Sequence, residues 1–261
     1  GKSHAAAVIE HLLCDEVAQI ADYVNEEYAN PKFDALRQSL FDLRKQKRLF
    51  PVTLYGQNNI AHKDDLSLQI QREIKLALSK AGLDLDVKTD FDNYVSHIRN
   101  NRAMWELILQ QNPKLSSFTP TVDKLLSNLV AQDSGTLGKV KDVLRDAGID
   151  IRLESEKLSS WFFEVEEKLA QSTDYDGLLV IWDEFTDVMK SDIGLSLLVD
   201  LQRLADETMN AEHNSYLFFI SHPSALNSLK AEERDKTKGR YLDMKYNMEP
   251  VSAFKIMSRK F

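Results

Sequence analysis

The chain has one cysteine, Cys14, among 261 residues. A single thiol excludes an internal disulfide framework and is too few for a cysteine zinc site. Glycine and proline are also scarce, with 9 and 6 residues, about half the share found in average usage. Such sparse punctuation excludes a turn-dense sandwich or barrel and favours long helices. Long hydrophobic runs are missing: Leu178–Trp182 falls far short of the roughly 18–20 apolar residues of a membrane span. The first residues show no charged-then-apolar leader pattern, so a cytoplasmic protein with no membrane contact is expected. An excess of basic charge is absent as well. There are 33 basic and 41 acidic side chains, a formal net charge of −8, which argues against a generic electrostatic nucleic-acid binder. With 43% hydrophobic and 28% charged residues, disorder is excluded, and the length suits one large domain or a core domain with an insertion.

The pattern of elements is mixed. A first helix is expected over Lys2–Glu27 and a second over Lys32–Lys47. Leu49–Tyr55 is an apolar segment ending at Gly56 and reads as a buried strand. Asp64 and Asp65 open a helix with Leu66, Ile70, Ile74, Ala77, Leu78 and Ala81 on one face, ended by Gly82 in the left-handed conformation. Tyr94, Ile98, Trp105 and Ile108 form a further face, stopped at Asn112-Pro113. Thr119 with Pro120 reads as an N-cap and first-turn proline. Leu137, Val140 and Leu144 lie on a helix ended by Gly148, and a long helix is expected from Leu153 to about Gln171. The segments Leu78–Leu85 and Leu144–Ile151 resemble each other, either as a duplicated hairpin or as one helix-stop chemistry used twice.

The tail changes character. Gly177–Trp182 and Tyr216–Ile220 are continuous apolar strands, helices are expected over Leu195–Met209 and Ser224–Glu233, and a last strand over Tyr241–Tyr246. Continuous apolar strands alternating with helices are the pattern of a parallel sheet covered on both faces. An α/β core is therefore expected from residues 1–82 and 173–261, with 83–172 an all-helical insertion between the strand near Val52 and the strand near Val180. An ordinary strand–helix–strand unit needs only about 30 residues.

Four clusters carry chemistry. Gly1-Lys2-Ser3-His4 heads a helix and matches the second half of a phosphate-binding loop, G-x-x-x-x-G-K-[ST]. Amides at the helix start would hold phosphate oxygens, Lys2 would reach the β- and γ-phosphates, and the Ser3 hydroxyl would ligate Mg²⁺. The abrupt start leads to the expectation of a fragment cut from a longer polypeptide inside this loop. Leu178–Trp182 delivers Asp183 and Glu184 to the carboxyl end of a buried strand, where ligands of open α/β sheets bind. Asp183 would hold the metal sphere and Glu184 would polarise an attacking water; the plainer alternative is an acidic pair that ends a strand and caps a helix. Ser221 or His222 at the tip of the next apolar strand would touch the γ-phosphate or the water, or else Ser221 caps the helix near Ser224. Arg240, in Lys236-Thr-Lys-Gly-Arg240-Tyr241, would neutralise charge on the transferred phosphoryl, or belongs to a solvated basic loop.

Other features are weaker. Arg44, Lys45, Lys47 and Arg48 read as cations closing a helix, with a nucleic-acid patch as the alternative. His11, His62, His97 and His213 have no metal spacing, and His11 with Cys14 supplies only two ligands.

Gly-Lys-Ser, helix, strand, acidic pair on a strand and then a polar-tipped strand together resemble the ASCE division of P-loop NTPases, which includes the AAA+ and STAND ATPases. The resemblance covers residues 1–56 and 173–261. Gly-Lys-Ser-His, the helical insertion, Ile-Trp-Asp-Glu-Phe, Phe-Ile-Ser-His-Pro and Lys-Gly-Arg-Tyr are similar to the large ATPases of prokaryotic anti-phage systems of the bacteriophage-exclusion (BREX) type. That resemblance implies Mg²⁺-dependent ATP hydrolysis within a larger protein, assembly with other subunits or with itself, and DNA contact, which the net charge does not support. Two rival expectations stand: an ABC-type ATPase with His222 as switch histidine, though no Leu-Ser-Gly-Gly signature occurs, and an interaction scaffold that binds nucleotide without turnover.

Overall fold

The computed structural model describes residues 2–56, 65–149, 158–189, 201–206, 214–222 and 235. The chain divides into two compact units, residues 1–56 with 177–261 and residues 57–176.

The first unit is α/β, a three-stranded parallel sheet flanked by helices. It contains α1 (Lys2–Cys14), α2 (Val17–Glu27), a 3₁₀ turn (Pro31–Phe33), α3 (Asp34–Gln46) and β1 (Leu49–Tyr55). After the second unit follow β2 (Gly177–Asp183), a short helix Phe185–Met189 and β3 (Tyr216–Phe219), with helical backbone over 201–206. The sheet order is β1-β2-β3, with both pairings parallel. All seven residues of β2 are buried, which is why its sequence runs apolar without alternation. Pro51 sits in β1, which among the described residues pairs on one side only, so its missing N–H costs no ladder bond. Leu49, Leu179 and Ile181 pack with Ala6 and Cys14 of α1. Burial pushes the Cys14 thiol up to about 12, with the nearby Glu10 carboxylate adding to the shift.

The expected helix over Lys2–Glu27 is two helices. Arg44 Nη2 donates to the Asp15 carbonyl, and Glu16 turns extended at φ −58°, ψ 137°. A guanidinium supplied from α3 thus caps α1, and Arg48 pairs with Glu16. Arg44 is buried, burial lowers its pKa, and its Nε and Nη1 have no partner among the described residues. Lys45 lies 3.7 Å from Asp42. Of the basic stretch, Arg44 thus closes a helix, while Lys47 lies over the Tyr216 ring at 5.7 Å.

The second unit is helical: α4 (Asp65–Lys80), α5 (Asp90–Asn100), α6 (Arg102–Gln111), α7 (Pro113–Ser116), α8 (Val122–Val130), α9 (Ser134–Asp146) and α10 (Leu158–Ser172). Its core gathers Phe91, Ile98, Trp105, Leu125, Leu129 and Val140. The division falls at Gly56, not at Gly82, so α4 groups with the helices instead of with the sheet. The reason lies in its polar contacts: Gln71 Nε2 donates to Asp90 Oδ2 at 3.2 Å, Arg72 Nε to the Gln132 carbonyl at 2.7 Å, and Lys141 Nζ to Asp65 Oδ1 at 2.8 Å. The cap of α8 is Thr121, whose Oγ1 accepts from Lys124 N at 3.1 Å, instead of Thr119, whose hydroxyl donates to the Leu115 carbonyl at 3.2 Å. Asn101 breaks the face through Tyr94 and Ile108 into α5 and α6. Gly82 (φ +73°) and Gly148 (φ +67°) are both left-handed. Leu83 N bonds Leu78 O and Ile149 N bonds Leu144 O, so the two similar segments share one Schellman-type stop. Expected elements over 224–233 and 241–246 lie outside the described residues.

Two glycines give opposite predictions. A Cβ on Gly177 would lie 2.4 Å from the Asn214 carbonyl oxygen, whereas Gly138, exposed within α9, has nothing within 4 Å. Gly177→Ala is expected to cost about 2 kcal/mol and lower the melting temperature by about 5 °C. Gly138→Ala should raise stability by about 1 kcal/mol. Circular dichroism melts check both signs.

Candidate functional site

Parallel pairing brings the carboxyl ends of the three strands to one edge. The β1–β2 register ends at Tyr55 opposite Asp183, and Gly56 N donates to the Asp183 carbonyl at 3.0 Å. On the other side, Ile220 N donates to the Trp182 carbonyl at 2.9 Å. Gly56, Asp183, Glu184, Ser221 and His222 therefore share the edge at which open parallel sheets take their ligands.

The strand alternation decides which face each residue serves. Leu179 and Ile181 pack under α1, so Asp183, two residues further, belongs to the same face. α1 runs antiparallel to β1. Glu16, two residues past the carboxyl end of α1, is tied to Arg48, just before the strand, while Glu10 Oε2 accepts from Thr53 Oγ1 at 2.7 Å near the strand's far end. Seven residues separate Glu10 from Ser3, about 10 Å of helix, against about 7 Å of strand from Thr53 to Tyr55. The head of α1, with Ser3 and His4 exposed and no acidic residue in its first turn, is thus directed to the edge that carries Asp183. Open amides at a helix start favour an anion there. Gly1 and the Lys2 side chain lie outside the described residues.

Asp183 is only 5% exposed, and its Oδ1 accepts the Glu184 N–H at 2.8 Å. Among the described residues no Lys or Arg pairs with it. A buried carboxylate with one amide donor is poorly compensated and suits a hard divalent cation. Asp183 and the Ser3 hydroxyl are oxygen ligands of the type Mg²⁺ takes, one or two from protein and the rest from water and phosphate. Among the described residues no group of three or more His, Cys, Asp or Glu side chains is placed to hold a metal.

Glu184 is exposed and left-handed, at φ +58°. A non-glycine residue held there costs about 1–2 kcal/mol and persists only where its surroundings impose it. Those surroundings are visible. Trp182 Nε1 donates to the Gly56 carbonyl at 3.0 Å, and its ring packs edge-on to Phe185 at 5.1 Å, on the face opposite Asp183. Gly56, itself at φ +60°, has no side chain where Glu184 Oε2 lies 3.5 Å from the position of a Cβ. Beyond the turn, Phe185 N donates to the Ile220 carbonyl at 2.9 Å.

Ser221 is half-buried at the tip of β3 and His222 is exposed. The His222 N–H donates to Thr186 Oγ1 at 2.6 Å. Thr186, Gly56 and the Thr53–Glu10 pair were not legible as site residues: each acts through a partner at least 36 positions away, and no local pattern marks them. Arg240 and the helix expected after Ser221 lie outside the described residues. His11 is exposed and bonded to Asp15 at 2.7 Å. Among the described residues no helix is long and apolar enough to cross a membrane.

Comparison with known protein families, with curated proteins and with solved structures finds no match.

The left-handed turn makes a stability prediction. In urea denaturation Glu184→Gly should be more stable than Glu184→Ala by about 1 kcal/mol, the reverse of the usual order in regular structure. Equal stability, or Ala ahead, would remove the strain.

Proposed function

We propose that this chain is the P-loop-type ATPase module of a larger protein, binding ATP with Mg²⁺ and hydrolysing it. The observation that supports this best is the pairing of a buried and an exposed carboxylate at the end of the central parallel strand, the buried one on the face covered by a helix whose Gly-Lys-Ser head is directed to the same edge. In this reading the first amides of α1 and the Lys2 ammonium hold the phosphates. Ser3 and Asp183 hold the metal, which when bound offsets charge on the phosphate oxygens. Glu184, on the solvent side, takes a proton from water as the water oxygen bonds to the γ-phosphorus and the bond to the β–γ bridging oxygen breaks, leaving ADP and phosphate. Ser221 or His222 orients the water or the γ-phosphate, and Arg240 offsets developing charge.

The resemblance of its motifs to bacteriophage-exclusion ATPases supports a role for this module in anti-phage defence, working with other protein subunits. A second reading draws on the helical unit of residues 57–176, which has a core of its own: an interaction scaffold that binds ATP without turnover. An ABC-type ATPase with His222 as its switch histidine would instead dimerise on ATP.

For Glu184→Gln in the full-length protein, ATP affinity by calorimetry should stay within a few-fold while phosphate release falls by at least about 100-fold. Lys2→Ala should lose about 10- to 100-fold in ATP affinity. Phosphate release by Glu184→Gln at the parent rate would remove Glu184 from the chemistry, and ATP binding with no release in the parent protein would favour the scaffold.

A further inference from the structure

We infer that Thr186, outside every motif of the sequence, is a positioning residue that locks the tip of β3 to the turn bearing Glu184. This rests on the ATPase reading above and extends it to a residue that acts through its bond to His222.

The ladder between β2 and β3 does not stop where the strands stop. Ile220 N donates to the Trp182 carbonyl, Phe185 N to the Ile220 carbonyl, both at 2.9 Å, and then His222 N to Thr186 Oγ1 at 2.6 Å. Between the first and second bonds lies Glu184 at φ +58°, which takes the chain out of extended geometry. Beyond that point, among the described residues, the pairing passes from backbone to side chain, and the Thr186 hydroxyl supplies the acceptor that a strand carbonyl would have offered. Two segments some 36 residues apart are thereby laced on both sides of the glutamate. In the ATPase reading the carboxylate of Glu184 and either Ser221 or His222 act on the same water or phosphoryl group, so their spacing has to be held within a fraction of an ångström. A shift of 1 Å in such a site costs on the order of 100-fold in rate. The acceptor at 186 is a constraint on that spacing.

A valine has threonine's shape without the hydroxyl, and a serine has the hydroxyl without the methyl. Both are tested in the full-length protein alongside Glu184→Gln. Thr186→Val is expected to retain ATP affinity within about three-fold while phosphate release falls about 10- to 100-fold. Thr186→Ser should restore most of the rate. Amide hydrogen exchange read at His222 without nucleotide should quicken in the valine variant and not in the serine variant, which tests the bond independently of turnover. Full phosphate release by Thr186→Val, or unchanged exchange at His222, overturns the assignment. So does a serine variant as slow as the valine one, or a parallel fall of melting temperature and affinity, since either would mark Thr186 as a packing residue only. Parent protein and Glu184→Gln indistinguishable in phosphate release would instead bring down the ATPase reading, and the catalytic role of Thr186 with it, whatever the exchange at His222 shows.

Discussion

The parallel pairing of β2 with a strand on each side is the constraint from which the rest follows. Gly177–Asp183 is buried along its whole length and hydrogen-bonded to β1 and β3. At its start Gly177 lies against the Asn214 carbonyl so closely that no side chain fits. At its end the backbone turns left-handed at Glu184. A strand held at both ends and on both edges has almost no freedom to slide or twist. The carboxylates at its tip inherit that rigidity, as a site built on a regular element should. Because both neighbours run parallel, Gly56, Ser221 and His222 reach the same edge without long loops to bring them there.

The two-residue period of the strand then divides the work. Trp182 goes to one face, where its indole N–H ties down the Gly56 carbonyl and its ring meets Phe185. Asp183 goes to the other face, beneath α1. Glu184 is released to solvent by the change of backbone hand. Three successive residues thus take three settings, an anchored indole, a buried carboxylate and an exposed carboxylate, with no special loop between them. The cost is a strained residue at the end of the central strand, which the surrounding hydrogen bonds hold in place.

The helical unit is built on other terms. Its core is aliphatic and aromatic, but its corners are polar. Gln71 is fully buried, receives the Asp90 N–H at 2.7 Å and donates to the Asp90 carboxylate and to Ser67, while Asp92 and Thr89 form a capping box at the head of α5. Buried polar groups of this kind specify an arrangement because any other would leave them unpaired. They assign α4 to the helices despite the sheet-like company it keeps in the sequence.

The features legible in the chain of residues are those that local physics governs. The apolar runs at 49–55, 177–183 and 216–219 became strands, Gly82 and Gly148 ended their helices, and an acidic pair after a buried run came to a sheet edge. Each depends on neighbours within a few positions, or on a burial pattern readable from composition. Tertiary structure alone decided the break between α1 and α2, the cap at Thr121, the allegiance of α4, the face on which Asp183 stands, the hand of Glu184 and the bond from His222 to Thr186. The helix break needs Arg44, 29 residues away; the Trp182 anchor needs Gly56, 126 away. Bonds of that reach leave no periodicity behind them, because the partner's position in the sequence bears no fixed relation to its position in space.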